Sequence, residues 1–260
     1  MGAIDLSKLS LEDANKYLRT LHEVERLSCE ESLAQFVRSA WHVLEPSTPL
    51  LWNWHLDVLC GYLQALYDGR LRSRRLVINI PPGTAKSLVV SVFYPAWIWV
   101  QPDSGASESF LNLTNAGDLA TRDTMRMRSL VQSEWYQRYW RSRVSLSPDQ
   151  REKTHFANTK HGFRIGQGIN ASVTGKRVSN LIIDDPHDAK RALGDTEVQS
   201  VCQSYDQAVS SRLKDPRHGT IILIMQRLRN NDLTGHLLDK RDQDWVHVLI
   251  PMTYTGSPGY

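Results

Sequence analysis

The segment Arg74–Ser87, which reads RRLVINIPPGTAKS, predicts the architecture of the whole chain. Its largely apolar run from Leu76 to Ile80 is typical of a buried strand, and Pro81-Pro82 ends that strand because proline cannot extend a hydrogen-bonded ladder. The following residues, Gly83 to Ser87, open a long apolar stretch that predicts a helix. A strand, a tight loop and a helix in this order are the context that a phosphate-binding loop requires.

This loop carries residue types that suit the phosphates of ATP. Backbone N–H groups at the helix start face the β-phosphate, Lys86 supplies a positive charge for the β and γ oxygens, and the Ser87 hydroxyl can bind Mg²⁺. The candidate ATP-binding residues are Pro82, Gly83, Thr84, Ala85, Lys86 and Ser87. The match to the pattern G-x-x-x-x-G-K-S/T is partial, since Ile80 and Ala85 stand at the two glycine positions. The alternative is a Pro-Gly turn followed by a chance Lys-Ser pair.

Length and composition are those of a globular protein with one large or two small domains. The 260 residues are 41% hydrophobic and 23% charged, and no apolar run is long enough to span a membrane. The N-terminus lacks a signal-peptide h-region, so we expect a cytoplasmic protein. The three cysteines are widely spaced and indicate neither a disulfide framework nor a zinc site. The net charge of +3 permits nucleic-acid binding without requiring it.

The sequence predicts a helical segment over residues 1–50 and an ATPase domain over residues 51–255. Ser10 and Ser28 each start a capping box that is followed by apolar residues at helical spacing. Asn53 begins a third helix. The chain therefore opens with helices before its first strand.

Two side chains at the start of the third helix are candidates for an adenine site. Trp54 offers an aromatic face and His55 a hydrogen-bonding group, just upstream of the phosphate-binding loop. The alternative is that both residues only pack the helix.

The segment Asn180–Asp185, NLIIDD, is a second strand that ends in acidic residues. In a parallel sheet the ligand site lies at the carboxyl ends of the strands. One carboxylate there can hold Mg²⁺ through water while the next polarises the attacking water. The alternative is that Asp-Asp-Pro only forms a turn.

The remaining pattern alternates strands with helices, which predicts an α/β fold with a mostly parallel sheet. We expect the helix after the loop to kink or end at Pro95. Asn115 is predicted to cap a helix that carries Arg122 and Arg126 on one face, as a solvated stripe or as a contact with DNA or a neighbouring subunit. Another buried strand ends at Gln226, where a γ-phosphate sensor would lie.

Together these motifs resemble the ATPase domain of the large terminase subunit of tailed bacteriophages. The matching segments, between about Trp52 and Pro251, are PPGTAKS, SEWYQ, TGKR followed by LIIDDPHD, and IILIMQRLRNNDLTGHLL. The resemblance implies an ASCE-type P-loop NTPase with an N-terminal helical segment. By position, Lys86 and Ser87 correspond to Walker A, Asp184 to the Mg²⁺ carboxylate, Asp185 to the catalytic carboxylate and Gln226 to the coupling residue.

The resemblance also implies a biological setting. Such a protein hydrolyses ATP with Mg²⁺ to move double-stranded DNA into a procapsid, in the host cytoplasm. It works as a homo-oligomeric ring on the portal protein, with a small terminase subunit that selects the DNA. Family members usually continue into a nuclease domain, which we do not expect within these 260 residues. Either the chain is an excised ATPase domain or the nuclease is a separate protein.

Two departures from the family pattern affect the site. No arginine lies in the loop, so we expect one from a neighbouring subunit. The family position for that arginine is Thr174 here, which makes Arg177 the first candidate, with Arg122 and Arg126 in reserve. The catalytic residue, often Glu, is the shorter Asp185, and Asp188 is the alternative.

Two rival functions remain. The first is a helicase-like DNA-dependent ATPase, although such helicases generally need two α/β cores. The second is a non-catalytic ATP-binding scaffold, which the partial Walker A match would fit.

Overall fold

A computed structural model describes residues 10–148, 152–171, 175, 177–240 and 243–252 of the chain. The helices are α1 Leu11–Glu31, α2 Leu33–Leu44, α3 Trp54–Tyr67, α4 Lys86–Leu88, α5 Tyr94–Val100, α6 Gly117–Gln132, α7 Glu134–Trp140, α8 Asp195–Ser204 and α9 Leu233–Lys240. The strands are β1 Arg75–Asn79, β2 Ser109–Thr114, β3 His155–Ala157, β4 Phe163–Gly168, β5 Asn180–Asp184, β6 Thr220–Met225 and β7 Val246–Leu249. None of the described helices is long and apolar enough to cross a bilayer.

The seven strands form one sheet in the order β3-β4-β2-β5-β6-β1-β7. The pair β3-β4 is antiparallel and the other described pairs are parallel, as predicted. Strand β6 lies between β1, which leads into the loop, and β5, which ends in the acidic pair. This inserted strand places the residue after β6 between the two halves of the predicted site.

Alternate strand residues face two hydrophobic clusters on opposite sides of the sheet. In β5, Ile182 packs in the cluster that contains α2, α3, α5, α6 and α7, whereas Leu181 and Ile183 pack in the cluster that contains α8 and α9. A strand buried on both faces appears in the sequence as a continuous apolar run, and such runs predict β5 and β6.

The helix that follows the loop differs from the prediction at Pro95. The structure places Pro95 in the first turn of α5, and the irregular hydrogen bonding falls earlier, in a π-helical turn over Val89–Phe93 between α4 and α5. Proline is tolerated in a first turn, because the N–H it lacks is not essential there. Single π-helical turns are rare and frequently occur at functional sites.

The start of the second helix also differs from the prediction. Ser28 lies inside α1, and α2 begins after Ser32, whose side chain accepts a hydrogen bond from the N–H of Gln35. The first helix continues for one more turn because Ser32 offers a competing cap four residues later.

Asn115 does not cap a helix, since α6 begins at Gly117. Its backbone N–H donates to the carbonyl of Asp185 at 3.3 Å, and its Nδ2 to the carbonyl of His187 at 3.4 Å. The tertiary contact with the loop after β5 takes the place of the local cap, and it fixes the end of β2 against the acidic pair.

Candidate functional site

The candidate site lies at the carboxyl edge of the sheet, where β1, β6 and β5 end side by side. In register, Asn79 of β1 is opposite Met225 of β6, and Ile224 of β6 is opposite Asp184 of β5. The residues that follow these positions, Asp185 and Gln226, therefore meet at one place. The backbone N–H of Gln226 donates to Oδ1 of Asp185 at 3.2 Å.

Left-handed residues shape the phosphate-binding loop. Gly83 has φ of 77° and Ala85 has φ of 58°, and the Thr84 hydroxyl donates to the carbonyl of Pro81 at 2.9 Å. Helix α4 starts directly after Ala85, so its first N–H groups point into the loop. Ala85 stands where the Walker A pattern has glycine, and its positive φ explains that preference, since a Cβ makes this conformation less favourable.

The loop lysine is paired with the predicted catalytic carboxylate. Nζ of Lys86 donates to Oδ1 of Asp185 at 2.8 Å and to the carbonyl of Ile80 at 3.4 Å. The Lys86 side chain is 5% exposed and that of Asp185 is 36% exposed. Asp185 also has a positive φ of 42°, which is uncommon for a residue other than glycine. This ion pair thus joins the phosphate-binding loop to the acidic end of β5.

Two serines hold the other carboxylate. Oγ of Ser87 donates to Oδ1 of Asp184 at 3.0 Å, and Oγ of Ser91 donates to Oδ2 at 2.7 Å. Burial, with the negative charge of Asp185 next in effect, raises the pKa of Asp184 to about 7. A cation bound beside Asp184 would therefore favour the ionised form of this carboxylate.

These donors fit a phosphate-bound Mg²⁺. A hydroxyl from Ser87 and a carboxylate from Asp184 are hard oxygen ligands that lie within 3.0 Å of each other, and Mg²⁺ commonly takes one or two protein oxygens together with substrate phosphates and water. Within the described part of the chain no group of three or more His, Cys, Asp or Glu could hold a metal by itself. Such a Mg²⁺ would therefore depend on the nucleotide.

The alternative catalytic residue, Asp188, has a different environment. Its Oδ1 accepts hydrogen bonds from the backbone N–H groups of Lys190 at 2.8 Å and Arg191 at 3.3 Å, and these bonds lower the pKa of Asp188. The side chain thus caps a short turn, whereas Asp185 contacts the loop lysine directly. This placement favours Asp185 for the catalytic role.

The arginine candidates occupy two regions. Arg177 is exposed and precedes β5, at the strand end opposite to Asp184; across the five residues of β5 that is about 16 Å. On α6, Nε of Arg122 bonds Asp123 at 2.9 Å, and Arg126 forms an ion pair with Glu45 after α2. Thr174 lies outside the described residues.

The adenine candidates lie at the start of α3. Trp54 is 49% exposed, and its ring contacts that of His55 edge to face, with the centroids 6.4 Å apart. A cavity of about 270 Å³ adjoins the phosphate-binding loop instead, and its wall includes Pro82, Leu249 and Met252. The adenine of ATP therefore has two candidate sites, the start of α3 and this cavity.

Sequence reasoning missed two residues of the site. Ser91 lies one helical turn after Ser87, so a hydroxyl four residues beyond the Walker A serine was an available signal. Arg164 stands between Phe163 and Ile165 in β4, and it is fully buried beneath the π-helical turn. A lone arginine in a strand gives no indication of its partners.

The chain is similar in structure to phage large terminases. It matches the large terminase of bacteriophage HK97 with a TM-score of 0.54 and 12% identity, over 85% of this chain and 44% of that one, so it spans less than half of the HK97 protein. It also matches the ATPase domain of the Thermus phage P74-26 large terminase with a TM-score of 0.43 and 15% identity, over 68% of this chain and 70% of that one. A mutant of that domain gives a TM-score of 0.41 and 13% identity, over 66% and 69%.

No protein-family model and no curated protein matches the sequence. The likeness to the HK97 protein is a likeness of fold. It confirms, at that level, the resemblance drawn from the motifs and the mostly parallel α/β sheet flanked by helices.

Proposed function

We propose that this chain is the ATPase motor of a viral DNA-packaging terminase, which hydrolyses ATP to move double-stranded DNA into a procapsid. The observation that carries the proposal is the convergence of Lys86, Ser87, Asp184 and Asp185 at the ends of β1 and β5, with Gln226 between them. A loop lysine, a loop serine and a carboxylate that holds Mg²⁺ are the residue types that P-loop NTPases use for phosphoryl transfer from ATP.

The side chains divide the work as follows. Lys86 moves from Asp185 to the β and γ oxygens of the nucleotide, and this frees the Asp185 carboxylate to orient the attacking water. Ser87 and Asp184 would hold Mg²⁺, which when bound offsets the charge of the phosphates. Gln226, whose N–H already contacts Asp185, reports the state of the γ-phosphate to α9 and the last strand.

The surroundings follow from the same proposal. The motor works in the host cytoplasm as a homo-oligomeric ring on a portal protein, with a small terminase subunit that selects the DNA. An arginine from the neighbouring subunit, with Arg177 as first candidate, completes the site. The similarity in fold to the HK97 large terminase supports this setting.

Two other functions would use the same fold. A helicase-like ATPase would also hydrolyse ATP with DNA, and a non-catalytic scaffold would keep the Lys86–Asp185 ion pair without turnover. The partial Walker A match, with Ala85 in a conformation that favours glycine, is the observation that fits the scaffold.

Steady-state phosphate release with and without duplex DNA, together with a strand-separation assay, distinguishes the three. We expect ATPase activity that duplex DNA stimulates and no strand separation. In Lys86→Ala each lost phosphate contact weakens binding by about 1.5 to 3 kcal/mol. Arg75→Ala, at the other end of β1, is the matched control and should bind ATP as the wild type does. ATP binding without turnover would identify a scaffold, and unwinding would identify a helicase.

A further inference from the structure

Arg164 is a fully buried cation beneath the candidate site. It lies on β4, where Nε donates to the Thr124 hydroxyl at 3.2 Å and Nη1 donates to the carbonyl of Ser91 and contacts Sδ of Met127 at 3.5 Å. Its Nη2 has no acceptor among the described residues. None of the described carboxylates accepts a hydrogen bond from this guanidinium.

Packing alone does not account for this arginine. Burial lowers the pKa of Arg164 to about 10, although the nearby charges of Asp123 and Asp184 act in the opposite direction. An apolar side chain of similar volume would avoid the desolvation of a guanidinium and would often be as stable or more so. The charge is therefore retained for something other than the core.

The acceptor of Arg164 is a carbonyl that cannot make the usual α-helical hydrogen bond. In an α-helix the carbonyl of Ser91 would accept from the N–H of residue 95, and Pro95 has no N–H. Ser91 is the middle residue of the π-helical turn. The guanidinium thus contacts the backbone of Ser91, whose hydroxyl bonds Asp184.

Ser91 connects the buried arginine to the Mg²⁺ carboxylate. Its carbonyl accepts from Arg164, and its hydroxyl donates to Oδ2 of Asp184 at 2.7 Å. The other oxygen of Asp184 accepts from Ser87, which is itself a candidate Mg²⁺ ligand. Replacing a residue that orients a metal ligand in this way typically lowers metal affinity by about 10- to 100-fold.

We propose that Arg164 is a positioning residue for Mg²⁺: through Ser91 it fixes the orientation of the Asp184 carboxylate. The proposal rests on the proposed ATP-binding function. It assigns a role to the π-helical turn, which is to bring the Ser91 carbonyl and hydroxyl to Arg164 and Asp184 at once.

The test is a Mg²⁺ titration of each variant at a fixed concentration of a non-hydrolysable ATP analogue, with binding of the analogue in EDTA as reference. We expect Arg164→Met and Ser91→Ala each to weaken Mg²⁺ affinity by about 10- to 100-fold, with analogue binding in EDTA unchanged. Arg164→Lys, which keeps the charge and one donor, should recover part of the loss. The double variant should lose no more than the weaker-binding single variant, because both act on one path.

The matched control is Arg143→Met. Arg143 donates to the carbonyl of Val100 at the far end of the same helix and pairs with Glu30 at 3.1 Å, without contact with the site. Its loss should lower stability, measured by thermal unfolding, and leave Mg²⁺ affinity unchanged. A similar fall in Mg²⁺ affinity in this control would show that general loosening of the helix is the cause, and would overturn the proposal.

Two further results would also overturn it. The first is wild-type Mg²⁺ affinity in folded Arg164→Met or, if that variant does not fold, in Ser91→Ala. The second is additive losses in the double variant. Wild-type protein that binds the Mg²⁺-nucleotide but never turns over ATP would contradict the proposed function and leave this proposal standing, whereas absence of Mg²⁺-dependent binding in the wild type would overturn both.

Discussion

The carboxyl and amino ends of the parallel strands differ in the surroundings of their charged groups. At the carboxyl edge, Lys86 and Asp184 are buried, the pKa of Asp184 is about 7, and both Ala85 and Asp185 have positive φ. At the amino edge, the guanidinium of Arg75 donates to the carbonyls of Gly219 at 2.6 Å and Pro216 at 2.8 Å.

A second amino-edge pair shows the same contrast. The carboxylate of Asp215 is exposed, and its hydrogen bond with His218 lowers the pKa of Asp215 to about 2. The charged groups of both edges thus have partners within the protein, but Lys86 and Asp184 at the carboxyl edge are buried whereas Asp215 at the amino edge is exposed. Strain and a raised carboxylate pKa are found together at the edge where a ligand is expected, which is the usual pattern at functional sites.

The largest expected effect tests whether function is confined to the carboxyl edge. Arg177 lies at the amino end of β5, so a role as the trans arginine would give the amino edge a share in catalysis. We expect Arg177→Ala to lower ATP turnover by about 10³- to 10⁵-fold under conditions that assemble the ring. Mixing it with Lys86→Ala should restore activity, because each variant keeps what the other lacks.

The control for this mixing experiment is Arg217→Ala, an exposed arginine at the same edge, which should keep its activity. If the two inactive variants stay inactive together, Arg177 does not act in trans. Arg122→Ala and Arg126→Ala, mixed in the same way, then identify the alternative.

The second effect concerns the two aspartates after β5. Asp185→Asn should lower hydrolysis by about 10²- to 10⁴-fold and keep Mg²⁺-dependent nucleotide binding, since it removes the group that orients water. Asp188→Asn should retain turnover, because the Asp188 side chain caps a turn. An inactive Asp188→Asn beside an active Asp185→Asn would exchange the two roles.

The third effect is on stability and its pH dependence. The pKa of Asp184 is about 7 in the folded protein and about 4 when unfolded, so folding is penalised as the pH rises from about 4 to 7, and the penalty is complete above pH 7. Since one pKa unit equals about 1.4 kcal/mol, Asp184→Asn should raise the free energy of unfolding at pH 8 by about 2 to 4 kcal/mol without Mg²⁺ or nucleotide. The gain should disappear near pH 4.

Urea unfolding of both proteins at pH 4, 6 and 8 measures this difference. Asp215→Asn is the amino-edge counterpart, and its lowered pKa predicts the opposite sign, a loss of stability above pH 4. If both substitutions change the free energy of unfolding in the same direction as the pH rises, the contrast between the two edges does not hold.

The smallest effect concerns loop strain. Ala85 has φ of 58°, so Ala85→Gly should stabilise the protein by about 0.5 to 1 kcal/mol, whereas Gly83→Ala, at φ of 77°, should destabilise it by a similar amount. Thermal unfolding of both variants without nucleotide checks this. A destabilised Ala85→Gly would show that the left-handed turn carries no strain at this position.

The amino-acid sequence by itself determined the main strands, the order of the motifs and which side chains the candidate site contains. Buried strands appear as apolar runs and the loop is marked by Pro, Gly and Lys, so β1, β5, β6, Lys86 and the acidic pair could be predicted from local patterns.

Tertiary structure alone decided how these pieces meet. Asn115 was predicted as a helix cap and instead contacts the carbonyl of Asp185, because a long-range hydrogen bond replaced the local one. The pairing of Lys86 with Asp185, 99 residues apart, and of Arg164 with Ser91, 73 residues apart, depends on the strand order. A local pattern records which groups a residue can offer, but only the packed sheet determines which partner each group finds.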